Sequence, residues 1–351
     1  EYLVSKGAKV ILCSHLGRPD GKADPAYSLA PVAKELSAQM NQDVLFSDDD
    51  EVVGDKTKQM VESFKKSNQS VMLLQNVRYR PEEEKNDPAF AKELASLADI
   101  FVMDAFGASH RAHASTVGVA DYLPAYGGLL IEREIKYLLE VLDQPERPMT
   151  VIIGGKKVSD KIGLIENVMD KADYILIGGA MAFTFAKAMG YSVGKSIVED
   201  DKLDLAARIM ENAKTSRAKL LLPVDITGST EFSNDTPKGE YPINAIPAEI
   251  MGLDIGAETI LNYSEVILKS KTIVLNGPMG VFEMSNYENG TRSIVQAIAD
   301  SDSISIIGGG DSAAAIKQFG LEDRMTHVST GGGASLEMLE GKVLPGVKII
   351  L

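Results

Sequence analysis

SISIIGGGDSAAAIK, residues 303–317, runs from apolar residues through three glycines into an alanine-rich stretch. A β-branched run of this length suits a buried strand, and the alanines suit a helix. The glycines between them let peptide N–H groups come close to a ligand at the helix start. THVSTGGGASLEML, residues 326–339, repeats the pattern: a short apolar run, three glycines, then a helical stretch. One glycine-rich turn is weak, because glycine also serves tight turns. Two triple glycines that each follow a strand are much stronger.

Outward from there, strand-like runs alternate with helical patterns along the chain. The runs are Lys9–Cys13, Ser70–Leu74, Ile100–Met103, Thr150–Ile153, Tyr174–Ile177, Leu220–Leu222, Thr272–Leu275, Ser303–Ile307 and His327–Ser329. This alternation predicts an α/β fold with mostly parallel sheets flanked by helices, Rossmann-like in each of two lobes. Asp87-Pro88 supplies a cap and a first-turn proline for a helix with an apolar stripe through Phe90, Leu94 and Leu97. Leu129–Leu142 reads as a long helix that separates two halves of different character. At 351 residues the chain exceeds one ordinary core. The expected organisation is a lobe over 1–128, an interdomain helix over 129–143, a second lobe over 144–340, and a tail over 341–351 that returns to the first lobe.

Ligands of parallel α/β sheets sit beyond the carboxyl ends of the strands. In the first half those ends read SHLGRP (14–19), QNVRYR (75–80) and DAFGASHRAH (104–113), rich in arginine and histidine. In the second half they read GGKKVSDK (154–161), GGAMA (178–182), NGPMGVFE (276–283), GGGDSAAA (308–315) and TGGGASLE (330–337), rich in glycine. Arginine forks match carboxylate and phosphate oxygens, and glycine backbones cradle phosphates. Two lobes with two anion chemistries suggest transfer of a group between two ligands.

Each motif has a plainer reading. His110, Arg111 and His113 could form a solvated turn; as metal ligands they lack partners. Lys157 and Lys161 flank a helix start expected near Ser159, against the helix dipole, which suggests a bound anion unless Asp160 and solvent compensate. Asp311 could hold Mg²⁺ or merely cap its helix. GYSVGKS (190–196) imitates a phosphate-binding loop, but it is one residue short between its glycines and follows a helical segment. No G-x-G-x-x-G follows a strand, which disfavours a dinucleotide oxidoreductase.

Composition narrows the classes. The formal net charge of −14 argues against a general nucleic-acid binder. The single cysteine leaves no disulfide framework and suits a reducing cytoplasm. Apolar runs are far shorter than the roughly 20 residues of a membrane helix.

SHLGRPDGK, NVRYRPEEEKND, DAFGASHRAHAST, GGKKVSDKI, LDIGAET, NGPMGVFE, GGGDSAAA and TGGGASLEMLEGKVLPGV occur in the order seen in the phosphoglycerate kinases. The chain resembles that family over nearly its whole length. The resemblance implies a two-lobed, hinge-bending, glycolytic kinase that interconverts 1,3-bisphosphoglycerate and MgADP with 3-phosphoglycerate and MgATP. It implies a triose-phosphate patch of His15, Arg18, Arg78 and Arg111, with the neighbouring histidines shaping the same pocket. On the nucleotide side it implies Gly154, Gly155, Lys157 and Lys161 at the phosphates. Gly178 and Gly179 would line the adenine side, with Asn276, Pro278, Val281 and Glu283 around base and ribose. Gly309, Gly310, Ser312 and the Mg²⁺ carboxylate Asp311 complete the set. Lys157 and the N–H groups of Gly332 and Gly333 would stabilise charge on the transferring phosphoryl. A monomer is expected, with no nucleic-acid or membrane partner.

Departures from the family pattern are few. Lys156 stands where alanine is usual, Leu275 for tryptophan, Met103 for asparagine and Gln75 for glutamate. The family also opens with an R-x-D-x-N-x-P strand and a helix bearing an essential arginine, whereas Glu1–Gly7 reads as the tail of a later helix. A truncated front is therefore expected. It would leave a poorly folded first lobe, negligible turnover and an intact MgADP-binding second lobe. A nucleotide-binding relative without turnover is the alternative.

Overall fold

The computed structural model describes residues 1–351. It divides the chain into two compact units, Glu1–Ile131 with Leu344–Leu351, and Glu132–Val343.

The first unit holds five short parallel strands in two sheets: β1 (Val10–Leu12), β2 (Val44–Phe46), β3 (Val71–Leu73), β4 (Phe101–Met103) and β5 (Ala125–Gly127). β3 lies between β1 and β2, and β4 pairs with β5. β3 is buried throughout, as a central strand must be, and packs Met72 into a core with Phe64, Leu74 and Phe90. The helix Pro88–Ala95 starts as the sequence predicts. The Asp87 carboxylate accepts from Ala89 and Phe90 N–H at 2.9 and 3.1 Å, and Phe90 and Leu94 are buried. β1, β2, β4 and β5 each keep one edge without a strand partner. Beside that edge of β4, Ile100 is 54% exposed and Val102 36%.

The second unit is built on a six-stranded parallel sheet in the order β14-β13-β12-β6-β7-β8. Its strands are β6 (Met149–Ile153), β7 (Tyr174–Ile177), β8 (Lys219–Leu221), β12 (Thr272–Asn276), β13 (Ile304–Gly308) and β14 (His327–Val328). The middle strands are apolar on both faces because helices cover both sides. Ile152, Leu176, Ile273, Leu275 and Ile307 form the centre of that core. Each is worth about 1.5–3 kcal/mol of burial. Leu275, where the family usually has tryptophan, is 2% exposed and fully packed.

All nine expected strands form, displaced by a residue or two at their ends. Five strands were not expected. β2 and β5 are three-residue pieces. β9 (Asp225–Ser229), β10 (Gly239–Pro242) and β11 (Met251–Ile255) make an antiparallel sheet, β10-β9-β11. Glycine, proline and aspartate interrupt these three, so neither alternation nor a continuous apolar run marks them. The long helical stretch does form, as Leu129–Ile135 and Val141–Asp143 joined by a π turn over Lys136–Glu140.

β11 carries Asp254, whose carboxylate is buried. It accepts from its neighbour Ile255 N–H at 2.9 Å and from Gly290 N–H at 2.6 Å, in the first turn of the helix Asn289–Asp300. Burial outweighs these two donors and pushes the carboxyl up to about 8. The folded state therefore holds a proton that the unfolded state releases near 3.8. Asp254's contribution to stability is full below that lower value and is lost as pH rises through about 8. The expected outcome is that the unfolding free energy of the wild type, relative to Asp254→Asn, falls as pH rises across that window in urea titrations. A constant difference would show that the buried carboxyl is charged throughout.

Candidate active site

In the second unit, three strand-end loops are stitched together by main-chain bonds. Gly154 N–H donates to Asn276 O at 3.0 Å, Gly155 N–H to Pro278 O at 3.1 Å, and Gly179 N–H to Met279 O at 2.9 Å. Gly277 N–H donates to Ser312 Oγ at 2.7 Å, which joins the loop after β12 to the helix Gly310–Gln318. A Cβ on Gly154 would land on the Pro278 carbonyl, and Gly179, at φ +67°, abuts the Gly155 backbone. Gly154 and Gly179 are thus needed for backbone to pack on backbone, whereas Gly178 makes room for the Met279 side chain. Gly310 and Gly332 differ, since a Cβ on either would meet nothing within 4 Å. Gly332 precedes the helix Gly333–Leu339.

These open glycines line a cavity of about 240 Å³ with Lys161, Asn276, Asp311 and Gly333. Lys161 Nζ bonds Asn276 Oδ1, and burial lowers the lysine's proton affinity although Asp160 and Asp311 oppose it. Asn276 Nδ2 is buried without a partner, a donor left for something in the cavity. Asp311 is exposed in the first turn of its helix, and it makes no capping bond. Ser312 is buried. Lys156, Lys157 and Glu283 are exposed, while Gly178 is buried and Pro278 and Val281 are half-buried.

The helix expected to start near Ser159 starts later, at Ile162, with Lys161 just ahead of it. Ser159 does not cap it: Lys161 occupies the cap position, and Ser159 donates its N–H at 3.1 Å and its hydroxyl at 2.6 Å to Glu199. Lys161 is thus the cation nearest the helix start.

In the first unit, one buried network joins two of the basic loops. Asn76, fully buried, donates to Leu16 O at 2.8 Å and Tyr27 O at 2.9 Å, and accepts from Arg78 N–H at 3.1 Å. Arg78 Nη1 donates to Gly17 O at 3.0 Å, and Arg78 Nε pairs with Glu84 at 3.2 Å. Gln75 supports Asn76. Its Oε1 accepts from Leu29 N–H at 3.0 Å while its Nε2 donates to Ser28 Oγ at 3.1 Å. The amide supplies both an acceptor and a donor, and a glutamate here would set a second carboxylate beside Asp48, 3.4 Å from Nε2.

Burial and neighbouring cations lower the proton affinity of two imidazoles. His15 is held below its ordinary value first by burial, then by Arg78, His113 and Arg111. His113 is lowered by burial, then by Arg78, with smaller effects of Arg111 and His110. His15, Arg78, Arg111 and His113 therefore share one electrostatic environment. Arg18 is exposed on the same loop as His15, with no side-chain bond or ion pair. Met103, where asparagine is usual, is buried against Gly346 and Ser109.

Sequence reading missed the support of the last glycine loop. Glu134, fully buried, bonds His327 Nε2 at 2.8 Å and accepts from Thr330 N–H at 3.0 Å and Thr330 Oγ1 at 3.2 Å. Tyr137 stacks on the His327 ring at 4.8 Å between centroids. Within the run IEREIKYLLE, Glu134 looks like any surface glutamate. Truncation would strand two or three buried donors, each worth about 1–3 kcal/mol. Glu134→Ala is expected to lose about 2–4 kcal/mol in urea denaturation and to speed hydrogen exchange at Gly331 and Gly332. A loss under about 0.5 kcal/mol would contradict this assignment.

The phosphoglycerate kinase family model matches residues 1–342. A phosphoglycerate kinase of Clostridium novyi is 55% identical over 349 residues, covering 99% of this chain and 87% of that protein. One of Finegoldia magna is 54% identical over 350 residues, covering 100% and 88%. The solved structure of the Coxiella burnetii enzyme superposes with a TM-score of 0.90 at 42% identity, covering 99% of this chain and 87% of that one. With the family model matched over residues 1–342 and relatives more than half identical across nearly all of it, the chain belongs to the phosphoglycerate kinase family.

Proposed function

We propose that the chain transfers a phosphoryl group reversibly between ATP and the carboxylate of 3-phosphoglycerate, giving ADP and 1,3-bisphosphoglycerate. The supporting observation is the division of chemistry. The first unit gathers His15, Arg78, Arg111 and His113, and the second has a cavity with an unpartnered Asn276 Nδ2, Lys161 and open glycines. The relatives' name, phosphoglycerate kinase, supports phosphoglycerate as the acceptor.

In this reading Arg78 and Arg111 take the oxygens of the triose phosphate, with Arg18 from the adjoining loop and His15 beside them. Gly154, Gly155, Lys157 and Lys161 serve the nucleotide phosphates. Gly178, Gly179, Asn276, Pro278, Val281 and Glu283 serve the base and ribose side. Gly309, Gly310, Ser312, Gly332 and Gly333 present main-chain N–H groups and a hydroxyl. The attacking carboxylate is ionised at neutral pH, so no general base is required. Rate then comes from positioning and from charge stabilisation by Lys157 and the Gly332 and Gly333 N–H groups.

Asp311 would hold Mg²⁺. The fit is chemical: its carboxylate is exposed at the cavity without a cap bond, and Mg²⁺ is commonly held by one carboxylate plus nucleotide phosphates. When bound, the metal neutralises charge on those phosphates. Asp311 orients them against Lys161 and the open glycines. The same reading makes the chain a cytoplasmic monomer, and its one cysteine suits a reducing compartment.

Calorimetry with 3-phosphoglycerate and with MgADP tests the assignment. Arg78→Ala and Arg111→Ala are each expected to weaken 3-phosphoglycerate about 10–100-fold, the loss of a charge-assisted contact of about 1.5–3 kcal/mol, with MgADP unchanged. Lys161→Ala is expected to do the reverse. Absence of 3-phosphoglycerate binding by the wild type would overturn the reading.

The histidines give a second check. A bound anion favours the charged imidazole, so the titration midpoint of His15 is expected to rise on adding 3-phosphoglycerate. Only four histidines are present, which makes the resonances assignable. A midpoint unmoved by saturating ligand would remove His15 from the pocket.

A further inference from the structure

Glu83 lies in the short helix Pro81–Glu84, five residues after Arg78, and is 2% exposed. Its carboxylate accepts from Ser115 N–H at 3.0 Å and from Ser115 Oγ at 2.6 Å. Its main-chain carbonyl accepts from Ala114 N–H at 2.9 Å. Oε1 also stands 3.7 Å from His113 Nδ1. The turn it grips is closed on itself, since Thr116 Oγ1 accepts from His113 N–H at 3.1 Å and donates to Arg111 O at 3.0 Å.

We propose that Glu83 is a positioning residue for the anion pocket: it bolts the closed turn 111–116, and with it Arg111 and His113, to the segment that carries Arg78. The bonds span the chain: Ser115 and Ala114 lie some thirty positions beyond the Arg78 segment that holds them. Asn76 fixes Arg78 against the loop of His15 and Arg18; Glu83 fixes the third basic loop to the same frame. A buried carboxylate is costly to desolvate, and burial raises its proton affinity despite the two Ser115 donors. A neutral side chain of equal size would avoid that cost but would not accept both donors as a carboxylate does. The proposal rests on the reading of this pocket as the 3-phosphoglycerate site.

The test compares two variants of the full chain. Glu83→Ala strands the Ser115 N–H and hydroxyl. Glu83→Gln can accept from the Ser115 N–H through Oε1 and donate to the rotated hydroxyl through Nε2, which keeps the bolt without the charge. The expected result is that Glu83→Ala weakens 3-phosphoglycerate about tenfold, leaves MgADP within about twofold, and is rescued to within about threefold by Glu83→Gln. The side-chain resonances of Arg111 and His113 should move in Glu83→Ala and return in Glu83→Gln. The groups facing His113 are Arg78, Glu84, Arg111, His110 and Glu83 itself, so its shift is read with all of them unaltered except the last.

A folded Glu83→Ala with unchanged 3-phosphoglycerate affinity and unchanged Arg111 and His113 resonances overturns the proposal, as does equal weakening of both ligands. Should Glu83→Ala fail to fold, Ser115→Ala removes one donor from the same bolt. It is expected to weaken 3-phosphoglycerate about threefold, and no change would count against Glu83. A wild type that binds no 3-phosphoglycerate sinks the substrate reading alone, and the resonances of Glu83→Ala then decide the positioning role by themselves.

Discussion

Three main-chain hydrogen bonds hold the glycine loops of the second unit in shape. Gly154 gives its N–H to Asn276 O at the end of β12, and Gly155 and Gly179 give theirs to Pro278 O and Met279 O in the loop that follows. At Gly154 and Gly179 a Cβ would collide with facing backbone. Everything further out depends on this contact. It places Asn276 beside Lys161, and it sets the main chain of Gly277 against Ser312, at the start of the helix that carries Asp311. A substitution at Gly154 would drive a Cβ into the Pro278 carbonyl and so displace the loop after β12.

The first unit solves its problem with side chains. Its basic loops carry like charges that repel, and nothing in the arginines themselves would hold them together. Neutral and acidic groups beneath them do so: Asn76 with Gln75 under Arg78, and Glu83 under the turn of Arg111. Arg18 and Arg111 are left exposed without an ion pair, while Arg78 is buried and paired with Glu84. The two unpaired guanidinium groups keep their charge available to an anion.

Much of this was legible in the residues. Nine strands showed as apolar runs, most plainly the central parallel strands that are buried on both faces. The helix at Asp87-Pro88 announced itself through its cap. The segments assigned to the site stood out because glycine and arginine crowd directly after the strands. What could not be read was of two kinds. The antiparallel sheet of β9, β10 and β11 is broken by glycine, proline and aspartate, so tertiary pairing rather than local pattern creates it. The supporting residues Glu134, Asn76 and Glu83 carry ordinary polar side chains, and only the fold decides that they are buried. Ser159 shows the same limit from the other side: a good capping residue in sequence is claimed by Glu199, forty positions away.

The π turn at Lys136–Glu140 fixes the length of the helical segment around it. Glu134 before it and Leu138 and Leu142 within and after it all point inward. Deleting one residue there would restore ordinary helix bonding and swing everything downstream by about 100°. Leu142 would then rotate toward solvent while Glu134 kept its grip on Thr330. Shortening this segment by a single position is therefore a harsher change than most substitutions within it.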